Sequence, residues 1–380
     1  MNKRTNIING IDWWTIALFL LIALFGWMNI YGAGYNFEQT SPFSLDNRAG
    51  KQLLWLGISV IIGIIVLFID SKTYDVLSYF IYAVMIIVLI ITPFLASNVK
   101  GSYSWLRIGP LAFQPAEFAK VITALALAKF MGRYEYAVKG WRDLIIPMSL
   151  ILLPALIIMV WQRETGSALV FFSFMLMFYR MGMSGKIFVI GFVAIIIVLI
   201  IFRFGWLDSM FQKVLQPHQF TRIQVLLGVK DDPTGAGYNV NQSIIAIGSG
   251  QFLGKGYLRG TQTSLQFVPE QDTDFIFCTV GEEWGFVGAA GLLLVYLCFL
   301  LHLLTMAERQ RDTFSMIYAY SVVGIFFMHI TINVGMVLGL LPVIGIPLPF
   351  FSYGGSSMIA FSILLFILLR LDAERLNKWQ

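Results

Sequence analysis

The stretch richest in reactive side chains runs from Phe267 to Phe277, where Pro269-Glu270-Gln271-Asp272-Thr273-Asp274 leads straight into Phe275-Ile276-Phe277. A carboxylate at the edge of hydrocarbon is costly to ionise, so it can hold a proton near neutral pH and serve as a general base. Asp274 stands nearest that edge and is the candidate for the role. An Asp at that point could equally cap a helix N-terminus, where its side chain accepts backbone N–H groups. Asp272 and Asp274 also form an Asp-x-Asp spacing able to hold a divalent cation, magnesium or manganese, together with a diphosphate.

Other ionisable groups sit inside or beside apolar runs, where a carboxylate is a functional candidate by default. Glu282 and Glu283 follow Asp274 by about two turns, next to Trp284. Glu117 and Lys120 lie three apart, the spacing of a helical ion pair that would steady a cavity wall. Glu164 stands in Gln162-Arg163-Glu164-Thr165-Gly166-Ser167. His218, His302 and His329 have no partner at metal-ligand spacing and read as structural.

Two glycine-rich or proline-rich segments complete the set. The first, from Asp231-Asp232-Pro233-Thr234-Gly235-Ala236-Gly237-Tyr238 through Gln242-Ser243 to Gly248-Ser249-Gly250 and Gly254-Lys255-Gly256, permits close backbone approach. It is not a phosphate-binding P-loop, which would need Gly in place of Ser249 and Ser or Thr in place of Gly256. No βαβ unit surrounds it either, so a dinucleotide fingerprint is excluded and a turn-rich re-entrant loop is the plain reading. The second, residues 339–357, holds Pro342, Pro347 and Pro349 followed by Ser352, Gly354, Gly355 and Ser356. It cannot be helical, so at membrane depth it must be buried in protein or line a cavity.

The elements that position these groups follow from composition. Of 380 residues, 58% are hydrophobic and 12% charged, with mean hydropathy +0.78; soluble domains carry roughly 45–50% apolar and ~25% charged residues. No soluble core could absorb that excess. Apolar runs at 13–33, 53–69, 74–97, 117–131, 144–161, 167–182, 186–204, 284–305, 313–340 and 356–371 predict an all-α polytopic membrane protein with about ten spans, residues 1–380 forming one domain. The fourth and last runs are short, which predicts tilted or partly interrupted helices. A basic start, Lys3 and Arg4, precedes the first run, but the run is too long for a signal peptide and reads as a permanent span.

Lys and Arg in the short connectors set the orientation. One side collects Lys3, Arg4, Lys72, Lys129, Arg133, Lys139, Arg309, Arg311 and Lys378 among others, while the opposite side holds only Arg48, Lys51, Lys100, Arg107 and Arg163. Positive residues stay inside, so both termini are expected in the cytoplasm. The long loop 205–274 between spans seven and eight then lies outside the cytoplasm. With Phe211, Phe220, Ile223, Ile244, Ile245 and Phe267 it is too apolar for disorder and should pack on the membrane domain as part of a cavity. The net charge of +5 and pI near 9.1 reflect this topology and lipid headgroups, not nucleic acid. Cys278 and Cys298 fall in or beside apolar stretches and indicate no disulfide framework. No repeat relates the first five spans to the last five, which argues against a transporter.

Taken together, several of these segments resemble the SEDS family (shape, elongation, division and sporulation), and its RodA-type members more than its FtsW-type ones. The resemblance covers nearly the whole chain. It is carried by Trp105 to Lys120 with Gln114-Pro115-Ala116-Glu117, by Arg222, and by Asp232-Pro233 through Tyr238. Gln242-Ser243 to Gly250, Gly254-Lys255-Gly256, Gly260-Thr261-Gln262, Thr273-Asp274-Phe275-Ile276-Phe277 and Gly281-Glu282-Glu283 add to it, as does the 339–357 segment, whose Gly345-Ile346-Pro347-Leu348-Pro349-Phe350 points to the RodA type.

The resemblance implies a peptidoglycan glycosyltransferase of the bacterial cytoplasmic membrane. Its substrate would be lipid II, the undecaprenyl-diphosphate-linked disaccharide-pentapeptide, and its partner a class B penicillin-binding protein transpeptidase. Asp274 matches the family's essential aspartate and would act as general base in an inverting reaction. Arg107, Lys120, Arg222 and Lys255 are then candidates to neutralise the departing diphosphate, with Gln242 and Ser243 as substrate contacts. Glu117, Glu164, Glu282, Glu283, Ser352 and Ser356 would support the site. Two positions depart from the family pattern: Asp272 replaces a common His, making a metal more plausible, and Arg163-Glu164-Thr165-Gly166 replaces Pro-Asp-Leu-Gly. A lipid II flippase and a scaffold that only recruits the transpeptidase are the competing functions; polar groups gathered at one outer face favour chemistry over a scaffold.

Overall fold

Backbone N–H and C=O groups find no water in a hydrocarbon core, so a chain this apolar must satisfy them within helices. The computed structural model describes residues 10–35, 41–99, 101–109, 111–133, 138, 140–205, 217–230, 232 and 235–375. Lys3, Arg4, Lys100, Lys139, Phe211, Asp231, Pro233, Thr234 and Lys378 lie outside the described residues.

The predicted spans are helical. They are α1 (Trp13–Ala33), α2 (Arg48–Phe68), α3 (Ser71–Leu95), α4 (Pro115–Met131), α5 (Trp141–Trp161), α6 (Thr165–Arg180) and α7 (Gly185–Arg203). The long connector carries α8 (Pro217–Leu226) and α9 (Ala236–Ser249), and α10 (Ile276–Glu308), α11 (Thr313–Val337) and α12 (Gly355–Glu374) complete the bundle. Among the described residues, α1, α2, α3, α5, α10, α11 and α12 are long and apolar enough to cross a membrane, and α6 is a shorter apolar helix. One small hairpin, β1 (Leu106–Ile108) and β2 (Leu111–Phe113), departs from an all-helical chain.

Burial separates the centre of the bundle from its rim. Of the apolar stretches, 83% of α12 and 72% of α11 are buried, against 17% of α3. The proline-rich segment between α11 and α12 is therefore held by the two innermost helices. Close approach is local: a Cβ at Gly63 of α2 would sit 2.8 Å from the Phe366 ring on α12, the small-residue packing that membrane helices use.

The interruptions do not fall where sequence predicts them. The fourth span, α4, is unbroken over 17 residues, and the last, α12, runs for 20. Instead α5 opens with a tight 3₁₀ turn and closes with a wide π turn at Ile157–Trp161. Pro154 inside it lacks the N–H that would bond the Leu150 carbonyl; the Tyr82 hydroxyl donates to that carbonyl at 2.9 Å instead.

The largest difference is in α10. It begins at Ile276, ahead of the predicted start at 284, and breaks at Gly285, whose φ of 66° and ψ of −162° are not helical. The break is filled by the connector. Lys255 and Gly256 N–H groups donate to the Glu282 and Glu283 carbonyls at 3.0 and 2.9 Å, while Phe286 and Val287 N–H groups donate to Gln251 and Phe252. A Cβ at Gly254 would lie 2.1 Å from the Glu283 carbonyl oxygen, which is why Gly-Lys-Gly stands at 254–256.

At the end of the bundle where α1 begins and α12 ends, Arg309 joins α1, α10 and α12. Its Nη2 lies 2.8 Å from Asp12 and 2.5 Å from Asp372, and His302 Nε2 is 3.0 Å from Asp12. Partial burial works against the Asp12 charge, but hydrogen bonds from the Thr15 N–H, Arg309 and His302 outweigh it and hold its carboxyl down at about 2. A lowered carboxylate stabilises the fold above its ordinary value of 3.8, and that contribution is lost as pH falls towards about 2. Melting curves in detergent should therefore show wild type more stable than Asp12→Asn at pH 5, with the gap closing by pH 2. A gap unchanged over that range would contradict this contact.

Candidate active site

Three successive carbonyls fix the backbone at the end of the connector. The Tyr353 N–H donates to the Asp272 carbonyl at 2.9 Å, the Ser352 hydroxyl to the Thr273 carbonyl at 2.6 Å, and the Asn333 amide to the Asp274 carbonyl at 2.8 Å. The same Asn333 amide donates to the Ile346 carbonyl at 2.8 Å. Ser352 Oγ in turn accepts the Leu348 N–H. The 338–354 segment and α11 thus hold residues 272–274 from the bundle interior. Asp274 is not the N-cap of α10, a position occupied by Phe275 without any side-chain cap, so the capping alternative does not hold.

The Asp274 carboxyl rests against Gly345. That residue has φ +77°, and a Cβ there would sit 3.1 Å from Asp274 Oδ2, so a side chain would be strained and would press on the carboxylate. On the connector side stands Arg222 of α8. Burial pulls its guanidinium below the usual range and the Asp274 charge pushes it back, placing the two within electrostatic reach. Gln242 on the adjoining α9 is half-buried.

Asp272 points elsewhere. Arg48 Nη1 lies 2.5 Å from both of its carboxylate oxygens, and the guanidinium sits 5.7 Å from the Tyr353 ring centre. A cavity of about 410 Å³ opens beside them, lined by Tyr31, Arg48, Gln266, Glu270, Gln271 and Asp272. With Asp272 engaged by a guanidinium, the Asp272 and Asp274 pair does not fit a divalent cation as proposed from spacing. Among the described residues no three His, Cys, Asp or Glu side chains cluster as a metal site.

Other candidates serve the scaffold. Lys255 Nζ is 2.6 Å from both Glu282 Oε1 and Thr261 Oγ1, so its ammonium is already paired within the scaffold. Glu282, fully buried, also accepts the N–H groups of Thr261, Gln262 and Thr263 at 2.8 to 2.9 Å; it anchors the turn Thr261–Ser264 as a carboxylate at a helix N-terminus does. Glu283 Oε1 accepts the Leu258 N–H at 3.2 Å. Ser243 donates to the Val337 carbonyl at 2.6 Å, tying α9 to α11. Lys120 is 1% exposed and cannot meet a ligand where it lies; it pairs with Glu117 at 2.8 Å as the spacing predicts.

Ser356 Oγ accepts the Gln114 N–H and donates to the Ala112 carbonyl, fastening the hairpin that carries the exposed Arg107. Glu164 accepts from the Gln114 amide at 2.5 Å and from Ser167 at 2.7 Å. Burial pushes its carboxyl up, hydrogen bonds from Ser167, Ser104 and Gln114 pull it back, and nearby Glu117 adds to the rise. Sequence reasoning passed over Asn333 and the pairing of Arg48. An amide in the apolar run of α11 was a usable signal; the partner of Arg48 lies 224 positions away and left none.

Residues 12–377 match the family model of the FtsW, RodA and SpoVE cell cycle proteins, and the chain belongs to that family. It is 36% identical over 304 residues to peptidoglycan glycosyltransferase MrdB of Escherichia coli K12, covering 80% of each chain. It is 28% identical to peptidoglycan glycosyltransferase RodA of Treponema pallidum, across 98% of this chain and 100% of that one. Among solved structures it is similar to a chain of a peptidoglycan synthase complex that coordinates polymerization and crosslinking, at TM-score 0.79 and 26% identity, covering 96% of this chain and 98% of the other. A Thermus thermophilus rod shape determining protein RodA variant aligns at TM-score 0.70 and 25% identity, over 97% and 99%. The chain is an integral membrane protein.

Proposed function

We propose that this protein is a peptidoglycan glycosyltransferase that polymerises lipid II, with Asp274 as general base. The observation that carries the reading is the pinned backbone at 272–274: fixed carbonyls aim one carboxylate, which lies against Gly345 and within electrostatic reach of Arg222. The activity is the one that the names of the E. coli and T. pallidum relatives give.

In the reaction the acceptor's sugar 4-hydroxyl gives its proton to Asp274 as its oxygen attacks the donor's anomeric carbon. The carbon–oxygen bond to the diphosphate breaks on the opposite face, and the undecaprenyl diphosphate leaves with the electron pair, inverting the configuration. Of the basic candidates, Arg222, within electrostatic reach of Asp274, and exposed Arg107 supply positive charge for the leaving diphosphate, whereas Lys120 and Lys255 are paired with Glu117 and Glu282. Gln242 on α9 is the remaining polar candidate for the substrate.

The positive-inside bias supports both termini in the cytoplasm and the Asp274 face outside the bacterial inner membrane, where lipid-linked precursor is consumed. The neighbour's complex coordinates polymerization and crosslinking, which supports a crosslinking transpeptidase as partner, and a class B penicillin-binding protein is the one proposed. The test is purified protein, alone and with that transpeptidase, in liposomes holding labelled lipid II. Lengthened glycan chains are expected; translocation of lipid II without any lengthening would favour a flippase and overturn the reading.

A further inference from the structure

Glu117, Lys120 and His329 form a polar line through the middle of the bundle, at 2%, 1% and 0% exposure. Lys120 Nζ lies 2.8 Å from Glu117 Oε1 and 2.8 Å from His329 Nε2. An ammonium only donates, so His329 Nε2 must present its lone pair, which leaves the ring neutral with its proton on Nδ1. Nδ1 stands 3.2 Å from the Pro347 carbonyl, which only accepts. The lysine therefore selects the tautomer, and the tautomer holds the carbonyl.

That carbonyl belongs to the wall of the site. Pro347 follows Ile346, whose carbonyl shares the Asn333 amide with the carbonyl of Asp274, and Gly345 lies against the Asp274 carboxylate. His329 and Asn333 are four apart on α11, on one helix face. Together they clamp consecutive carbonyls of the segment on which Asp274 rests. A plain ion pair would not need this. Buried pairs are weak sources of stability compared with apolar packing, and a ring that only filled space beside Phe361, 4.8 Å away, would need no proton on a particular nitrogen.

We propose that His329 is a positioning residue for the reaction: oriented by the Glu117–Lys120 pair, it fixes the Ile346–Pro347 backbone that sets the place of Asp274. The proposal rests on Asp274 being the base. Its test compares His329→Leu, which keeps bulk without polarity, with His329→Gln, whose carbonyl can accept from Lys120 and whose amide can donate to Pro347.

In the lipid II polymerisation assay, scored against wild type and with melting temperature followed in parallel, His329→Leu should lower kcat by about tenfold to a hundredfold with KM little changed. His329→Gln should recover most of that loss. Equal losses in both variants, or a fall in melting temperature in His329→Leu with kcat intact, would overturn the proposal. Nitrogen-15 histidine spectra of the wild type give a second measurement that needs neither folded variants nor activity. The Nδ1-protonated neutral tautomer is expected for His329, and an Nε2-protonated or doubly protonated ring would overturn the assignment while leaving the role of Asp274 untouched.

Discussion

Asp274→Asn is expected to reduce glycan polymerisation by about 10²–10⁴-fold, the range over which a positioned general base contributes. The substitution keeps size and removes the carboxylate's charge, and with it the ability to take up a proton. Folding should survive it, because the contact that ties residue 274 to α11 runs through its carbonyl, 2.8 Å from the Asn333 amide, and not through a helix cap. Gel analysis of labelled lipid II, with the variant's yield and melting temperature matched to wild type, separates the two effects. Polymer at wild-type rate would show that another group accepts the proton.

The second large effect concerns stability. Lys120→Met leaves Glu117 as an unpaired carboxylate at 2% exposure, with its Oε2 already lacking any hydrogen-bond partner. Removing one member of a buried pair costs about 3–5 kcal/mol, because the remaining charge is uncompensated. Much of the folded protein should therefore be lost, seen as an early, broadened melt in detergent. The double variant Glu117→Gln, Lys120→Met should regain most of that stability, since it leaves no orphaned charge. A single variant that melts like wild type would mean that the pair is hydrated or already neutral.

The apolar helices were legible because hydrocarbon thickness imposes a run of apolar residues on each crossing, whatever its neighbours; among the described residues seven are long and apolar enough to cross. Breaks within helices were less so. Short length pointed to the fourth and last spans, yet the interruptions belong to α5 and α10, where Pro154 and Gly285 act together with remote partners, Tyr82 and the 251–256 turn segment. The same limit governs the site. Asp274 could be singled out locally, from a carboxylate meeting an apolar run, and the Glu117–Lys120 pair from helical spacing.

What a basic residue does was a long-range matter. Lys255 and Lys120 looked like diphosphate ligands by charge alone, but Glu282 and Glu117 occupy them. Asp272 has the spacing of half a cation site, but Arg48 pairs with its carboxylate. His329 reads as an ordinary core histidine in sequence; only the atoms on either side of its ring give it a direction.

In the proposed mechanism the Asp274 carboxylate works at the non-cytoplasmic mouth of the bundle, and sidedness tests that most directly. In a Cys278→Ala, Cys298→Ala background, Asp274→Cys in intact spheroplasts should react with a maleimide that cannot cross the membrane, since residue 274 is partly exposed at the connector end. Modification that appears only after the inner face of the membrane is opened would put the residue on the cytoplasmic side, and the proposed chemistry would have no place to occur.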